Sequence, residues 1–155
     1  MHLNAQHVQA VLTTLGSTSQ VQELAASTRT AAEAASALGT TVAQIAKSLV
    51  FLAGEEAVLV IASGANRVSQ DKLAALLGLP IRPADADAVK RFTGFPIGGV
   101  APVGHPVPLR VLIDRDLVQL AEVWAAAGTP HAVFRTTPEE LVRITGGALA
   151  DVREE

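Results

Sequence analysis

The 155-residue chain is 49% hydrophobic and 17% charged, too apolar for a natively disordered protein and sufficient for one packed core. A chain of this length buries roughly 68–70% of the surface its unfolded form exposes, which favours a single domain over residues 1–155. The absence of Cys excludes disulfides, thiolate zinc sites and a cysteine nucleophile, and a net charge of −3 argues against a general nucleic-acid binder.

Taken in chain order, helix-start signals recur. Leu3, His7, Val8, Val11, Leu12 and Leu15 fall on one helical face that Gly16 ends. Val21 to Leu24 is a weak strand candidate. Thr30 with Glu33 makes a capping box for a helix from Ala31 to Leu38, closed by Gly39. Thr41 with Gln44 repeats the pattern and predicts a short helix ending near Lys47. Ser48 to Ala53 and Ala57 to Ala62 read as an antiparallel hairpin about the Gly54-Glu55-Glu56 turn. Ser69 opens a helix to Leu77, Ile81 to Pro83 is a short strand, and Asp85 opens a helix to Thr93. The segment from Gly94 to Pro108 is too rich in Gly and Pro for regular structure. Leu109 to Ile113 reads as a strand, Asp116 with Gln119 as a short helix, and Val123 to Ala125 and Ala132 to Arg135 as further strands. Thr137, Pro138 and Glu140 open the last helix. Nearly continuous apolar runs predict central strands buried on both faces, hence an α/β domain with a mixed sheet wrapped by helices.

The longest apolar run, Ala57 to Ala62, is far below the roughly 18 residues of a membrane span. With no Lys or Arg before Arg29 there is no basic leader pattern, and a soluble, cytoplasmic protein is expected. Charge is uneven: Arg67 to Arg115 carries seven basic and four acidic residues, an excess of +3, against −6 elsewhere. Such a segment suits a phosphate-bearing ligand, although scattered solvated charges would look the same.

Three signatures are missing. Gly98 to Gly104 matches neither the dinucleotide fingerprint nor the Walker loop, and there is no Gly-x-Ser-x-Gly elbow. His2, His7, His105 and His131 form no metal pair and read as surface or capping groups, so neither a metal nor a cofactor is expected. Two features remain. Lys47 shares a strand face with Leu49 and Phe51, so its ammonium either snorkels to solvent or sits in a cavity with an anionic or carbonyl partner. The 98–104 loop is either a plain crossover turn or a segment whose glycines let its N–H groups approach a ligand.

The combination Ile45-Ala46-Lys47-Ser48-Leu49-Val50-Phe51, Ala84-Asp85-Ala86, Thr93 to Gly104, and Val111-Leu112-Ile113-Asp114 resembles the YbaK family of prolyl-tRNA-synthetase-associated editing domains. The likeness runs from about Thr30 to the C-terminus, with the Gly-x-x-x-Pro element at Gly98 to Pro102 about fifty positions after the lysine. It implies a mixed, mostly antiparallel sheet surrounded by short helices. It also implies a free-standing deacylase that hydrolyses the ester of mischarged tRNA, most often proline tRNA carrying a small wrong amino acid such as Ala or Cys. Its partners would be the acceptor end of aminoacyl-tRNA and, as a further possibility, prolyl-tRNA synthetase. In that reading Lys47 is catalytic, with the substrate's terminal ribose hydroxyl assisting. The substrate-binding set is Ser48, Gly98, Gly99, Val100, Ala101, Pro102, Asp114, Gly128 and His131. The N–H groups of Gly99, Val100 and Ala101 would hold the carbonyl and Pro102 the loop shape, and a side chain added at Gly99 is expected to cost activity far more than stability. Founding members carry a Gly-Gly-rich segment where this chain reads Ala127-Gly128-Thr129-Pro130-His131, which leaves the edited amino acid open. The alternative is a catalytically silent module that binds an aminoacyl nucleotide or docks on a synthetase.

Overall fold

The structure of the chain, a computed structural model, describes residues 1–155. Helix α1 (Leu3–Thr14) is entered through His2, whose Nδ1 accepts the Asn4 N–H at 3.0 Å. Its buried stripe is Ala5, Val8 and Leu12, while Leu3 and Leu15 remain exposed. The expected apolar face is therefore rotated, because only the middle turns rest on the core and the two leucines lie at the ends. After β1 (Gln22–Glu23), helix α2 (Ala31–Leu38) starts at Thr30, whose hydroxyl accepts the Glu33 N–H at 3.1 Å.

The Thr41 capping box forms, with Gln44 Oε1 accepting the Thr41 N–H at 3.3 Å, but it yields a single 3-10 turn, Val42–Gln44. Strand β2 (Ile45–Ala53) follows at once, so the helix expected to reach Lys47 is replaced by a strand. The reason is tertiary: Ala46 is paired on both sides, with Ser63 and with Ala125, and the ladder overrides the local signal.

The chain continues through β3 (Glu56–Ser63), α3 (Gln70–Leu77), β4 (Ile81–Pro83), α4 (Ala86–Thr93) and β5 (Arg110–Asp114). It closes with β6 (Val123–Ala126), β7 (Ala132–Thr136), α5 (Pro138–Thr145) and β8 (Ala148–Ala150). Strand β8 is only the three residues Ala-Leu-Ala after Gly146-Gly147, too short to read as a strand in the sequence, and pairs along the edge of β5.

The strands form one mixed, mostly antiparallel sheet in the order β1-β7-β6-β2-β3-β5-β8, with β4 pairing the far end of β2. Leu59, Val60, Ile61 and Ala62 of β3 are fully buried, as a two-sided central strand requires. One face packs against α1, α5 and the loop between α4 and β5, and this core holds Phe95, Val100, Ala101 and Phe134. The other packs against Leu73 of α3 and Val152 near the C-terminus. No helix is long and apolar enough to cross a membrane.

Candidate active site

The site follows from a split in the sheet. On the side of β2 away from β3, Ile45 and Ala46 pair with β6, and Phe51 to Ala53 pair with β4. Between these contacts Lys47 to Val50 have no strand neighbour on that edge. A cavity of about 430 Å³ opens there, walled by Ala34, Leu49, Phe51, Val89, Ile97, Val100 and Trp124 among others. Its only charged lining residues are Arg29 and Lys47.

Lys47 is half-buried and is absent from every ion pair in the protein. Burial holds its ammonium below the ordinary lysine value of 10.5, the Arg67 guanidinium lowers it further, and the Asp114 carboxylate opposes the shift. It is a partly desolvated cation in no ion pair at the edge of an apolar cavity, so it has the cavity of the second alternative but not the anionic or carbonyl partner expected with it. Strand alternation sends Ser48 to the opposite face, toward the core that includes Val100. Ser48 lines the same cavity, and its buried Oγ has no hydrogen-bond partner in the protein.

The loop after α4 is held from several sides. His105 Nε2–H donates to the Ala101 carbonyl and His7 Nε2–H to the Gly104 carbonyl, both at 2.8 Å, with Phe95 between the two rings. Burial pushes the His105 pKa down, and the bond to Ala101 only partly opposes it. All four histidines bond to backbone groups, since His131 Nδ1–H donates to the Ala26 carbonyl at 3.1 Å and His2 caps α1.

The loop departs from expectation at two glycines. The Gly99 N–H already donates to the Pro96 carbonyl at 2.9 Å, which removes it from the proposed carbonyl donors. The N–H groups of Gly98, Val100 and Ala101 donate to no protein acceptor, and Gly98 and Val100 line the cavity. Gly98 has φ +84 and lies against Arg29; a Cβ on Gly99 would meet the Thr129 backbone at 2.7 Å. The glycines thus serve close approach of the loop to its neighbours in the chain. Ala101 and Pro102 are buried and do not line the cavity.

Besides Gly99, Ala101 and Pro102, three further expected contacts lie outside the cavity lining. Asp114 is 1% exposed, and its carboxylate accepts N–H groups from Ser63 at 3.1 Å, Asn66 at 2.8 Å and Asp116 at 2.9 Å. It ties the ends of β3 and β5 to the following turn and is saturated by that task. Gly128, with φ +97, packs on α1 and accepts from Asn4 Nδ2 at 3.0 Å. His131 is exposed, outside the lining. The 127–131 turn supports the site from behind: Pro130 O accepts both the Thr28 N–H at 2.6 Å and the Thr28 hydroxyl at 3.0 Å, and Thr129 backs Gly99.

A family model described as the aminoacyl-tRNA editing domain matches residues 25–144, which takes in Lys47, the glycine loop and the 127–131 turn. The chain belongs to the aminoacyl-tRNA editing domain family. A crystal structure described as a candidate trans-editing enzyme for prolyl tRNA synthetase is 49% identical to this editing domain and superimposes with a TM-score of 0.95, covering 100% of this chain and 99% of that one. The hypothetical protein APE2540 is 34% identical, with a TM-score of 0.89 over 96% of this chain and 99% of its own. The uncharacterized protein YwhH of Bacillus subtilis (strain 168) is 32% identical over 122 residues, 78% of each chain. Proline–tRNA ligase of Ligilactobacillus salivarius (strain UCC118) is 37% identical over 90 residues, 57% of this chain but only 16% of the ligase.

The cavity is also lined by a residue that reading the sequence passed over. Arg29 stands at the cavity rim, exposed and without an ion-pair partner. A sequence signal existed, because it directly precedes the cap of α2, where the helix dipole disfavours a cation. No three His, Asp or Glu side chains converge in a way that could hold a metal ion.

Proposed function

We propose that this editing domain is an aminoacyl-tRNA deacylase acting in trans on mischarged tRNA, with proline tRNA carrying a small amino acid such as Ala or Cys as its substrate. The observation that carries the reading is the unpaired Lys47 ammonium in an apolar cavity that also presents the unbonded N–H groups of Gly98 and Val100. An ester of a small amino acid linked to a ribose and phosphate is a mostly apolar group with an anionic end, and it fits such a lining. Lys47 and Arg29 attract the 3′-terminal phosphates, and Lys47 offsets negative charge that develops during reaction. Both cations remain available because no cavity carboxylate neutralises them.

Water attacks the ester carbonyl, forming a carbon–oxygen bond, and the bond from that carbon to the terminal ribose oxygen breaks. The carbonyl oxygen turns toward the Val100 and Gly98 N–H groups as it becomes an oxyanion. No lining carboxylate or histidine is present to take the proton from water. The neighbouring ribose hydroxyl relays it to the leaving oxygen, so the free acid and intact tRNA are released. Buried Asp114, with Gly128 and the exposed His131, braces the walls from outside the cavity without touching substrate. The acceptor end is the part of tRNA engaged, prolyl-tRNA synthetase is the natural partner for hand-over, and the setting is cytoplasmic.

The decisive experiment incubates pure protein with alanyl-, cysteinyl- and prolyl-tRNA of the proline type and follows release of the amino acid. Release from the mischarged species, lost in Lys47→Ala, is the expected result. Tight binding of all three without hydrolysis would instead identify a silent binding module.

A further inference from the structure

On the deacylase reading, one part of the substrate still lacks a place: its terminal base. The aminoacyl ester of a tRNA is carried on an adenosine, so a carbonyl held by the Gly98 and Val100 N–H groups brings an adenine to the cavity with it. Bases are held by groups that pair with their edges or by rings that stack on their faces. Amide side chains are the usual partners of the adenine edge, and no Asn or Gln lines the cavity. The lining hydroxyls are spent or covered: Thr28 Oγ1 donates to the Pro130 carbonyl at 3.0 Å, Thr30 Oγ1 donates to Glu33 Oε1 at 3.3 Å, and Ser48 Oγ is buried.

A face for stacking does exist. The chain has five aromatic side chains, four Phe and one Trp. Phe95 and Phe134 are inside the core, and Phe92 lies under the Arg91 guanidinium, outside the lining. Phe51 and Trp124 line the cavity, but Phe51 is buried whereas Trp124 is half-buried. Trp124 pairs in register with Ile45, so strand alternation puts its ring on the same face of the sheet as Lys47. It stands two residues along the strand from the level of Lys47, about 7 Å at the rise of a strand, which is the scale of one nucleotide from phosphate to base. The cluster of Ala34, Ala35 and Ile45 packs against the indole and fixes its plane. Ala31 and Ala34 line the same end of the cavity with single methyl groups, which leaves width for a flat base beside the ring.

We propose that Trp124 is a binding residue for the acceptor end, its indole stacking on the adenine of the terminal nucleotide while Lys47 takes the phosphate beside it. Stacking reads the face of a base and tolerates any sequence, so this contact anchors the end that all tRNAs share. Discrimination between tRNAs is then left to contacts outside the cavity.

The test uses two non-hydrolysable probes in which an amide replaces the ester, 3′-(L-alanylamino)-3′-deoxyadenosine and its abasic counterpart with hydrogen in place of adenine. Calorimetric titration of the wild-type protein should show the adenine probe binding at least about tenfold more tightly, within the worth of one base–aromatic stack. Trp124 is the single Trp, so its fluorescence reports this site alone and should be quenched by the adenine probe and not by the abasic one. Trp124→Leu, which keeps an apolar side chain against Ala34 and Ile45, should bind both probes equally, whereas Trp124→Phe should retain part of the preference. A preference for adenine that survives in Trp124→Leu would place the base elsewhere and overturn the assignment. So would a wild type that does not distinguish the probes or binds neither. Should Trp124→Leu not fold, the wild-type emission decides: no quenching by the adenine probe, or equal quenching by both, overturns the stack. The deacylase reading is judged separately, by release of amino acid from mischarged tRNA, and it stands if that release occurs without any preference for the base.

Discussion

The role proposed for Lys47 rests on what the residue lacks, a partner in an ion pair. Partial burial holds the Lys47 pKa below 10.5. Lys47→Ala should lower deacylation at least ~10²-fold, because the charge acts on the substrate. Its melting temperature should stay near wild type, since no protein partner is orphaned. Lys47→Arg should also fail, as a planar fork does not replace a compact ammonium in a confined site. The depressed pKa has two consequences of definite sign. Activity that depends on the protonated amine should decline on an alkaline limb of kcat/KM placed below 10.5. Stability should rise with pH across the window between the folded-state pKa and 10.5, where the unfolded chain binds more protons than the folded one. Denaturant titrations of wild type and Lys47→Met across that range would reveal the second effect as a slope present only in the wild type.

At the scale of elements, the loop between α4 and β5 is the piece whose shape matters most. Gly99→Ala forces a Cβ onto the Thr129 backbone at 2.7 Å, which requires backbone movement. We therefore expect it to cost about 1–3 kcal/mol of stability together with most of the activity, rather than activity alone. Thermal melts run beside the deacylation assay decide this: a variant with normal melting and lost activity would restore a ligand-facing role for Gly99. The loop is also stapled by His105, which burial keeps neutral below the ordinary value of 6.5. Above pH 6.5 the imidazole is neutral in both states and its staple is fully in place. As pH falls through 6.5 the unfolded chain takes up the proton first, so stability drops until the folded-state pKa is reached. His105→Gln, which offers an amide N–H to Ala101, should lack this component of the acid-side loss in pH-dependent unfolding.

At the scale of the whole molecule, the positive segment does not form one surface. Lys72 pairs with Asp151 and Glu155, Arg115 with Asp151, and Arg67 with Glu154. Arg82, Lys90 and Arg91 have no ion pair; they belong to β4 and α4, whose neighbourhood supplies the wall residues Pro83, Ala84 and Val89. Charge reversal at Arg29, Lys90 or Arg91 should raise KM for aminoacyl-tRNA with little change in kcat, while reversal at Arg115 should do neither. KM should also rise with salt, shallowly, because few phosphates are engaged by a protein of net charge −3. Steady-state kinetics at several salt concentrations checks both, and a KM insensitive to salt and to all three reversals would mean that tRNA approaches another face.

The sequence by itself determined the helices, since caps such as Thr30, Ser69, Asp85 and Thr137 act on N–H groups three residues away and need no distant partner. It determined the buried β2–β3 hairpin through unbroken apolar runs, and it marked Lys47 as a charge inside one of them. Tertiary structure alone decided where that charge looks, because the cavity exists only where β6 and β4 part from β2, nearly eighty and over thirty residues along the chain from Lys47. It decided that Asp114 is spent on Ser63, Asn66 and Asp116, that Gly99 faces Thr129, and that Arg29 stands free at the rim. Local rules fix backbone conformation because their partners are neighbours in sequence. Whether a side chain is satisfied or left open for a ligand depends on which distant groups folding brings to it.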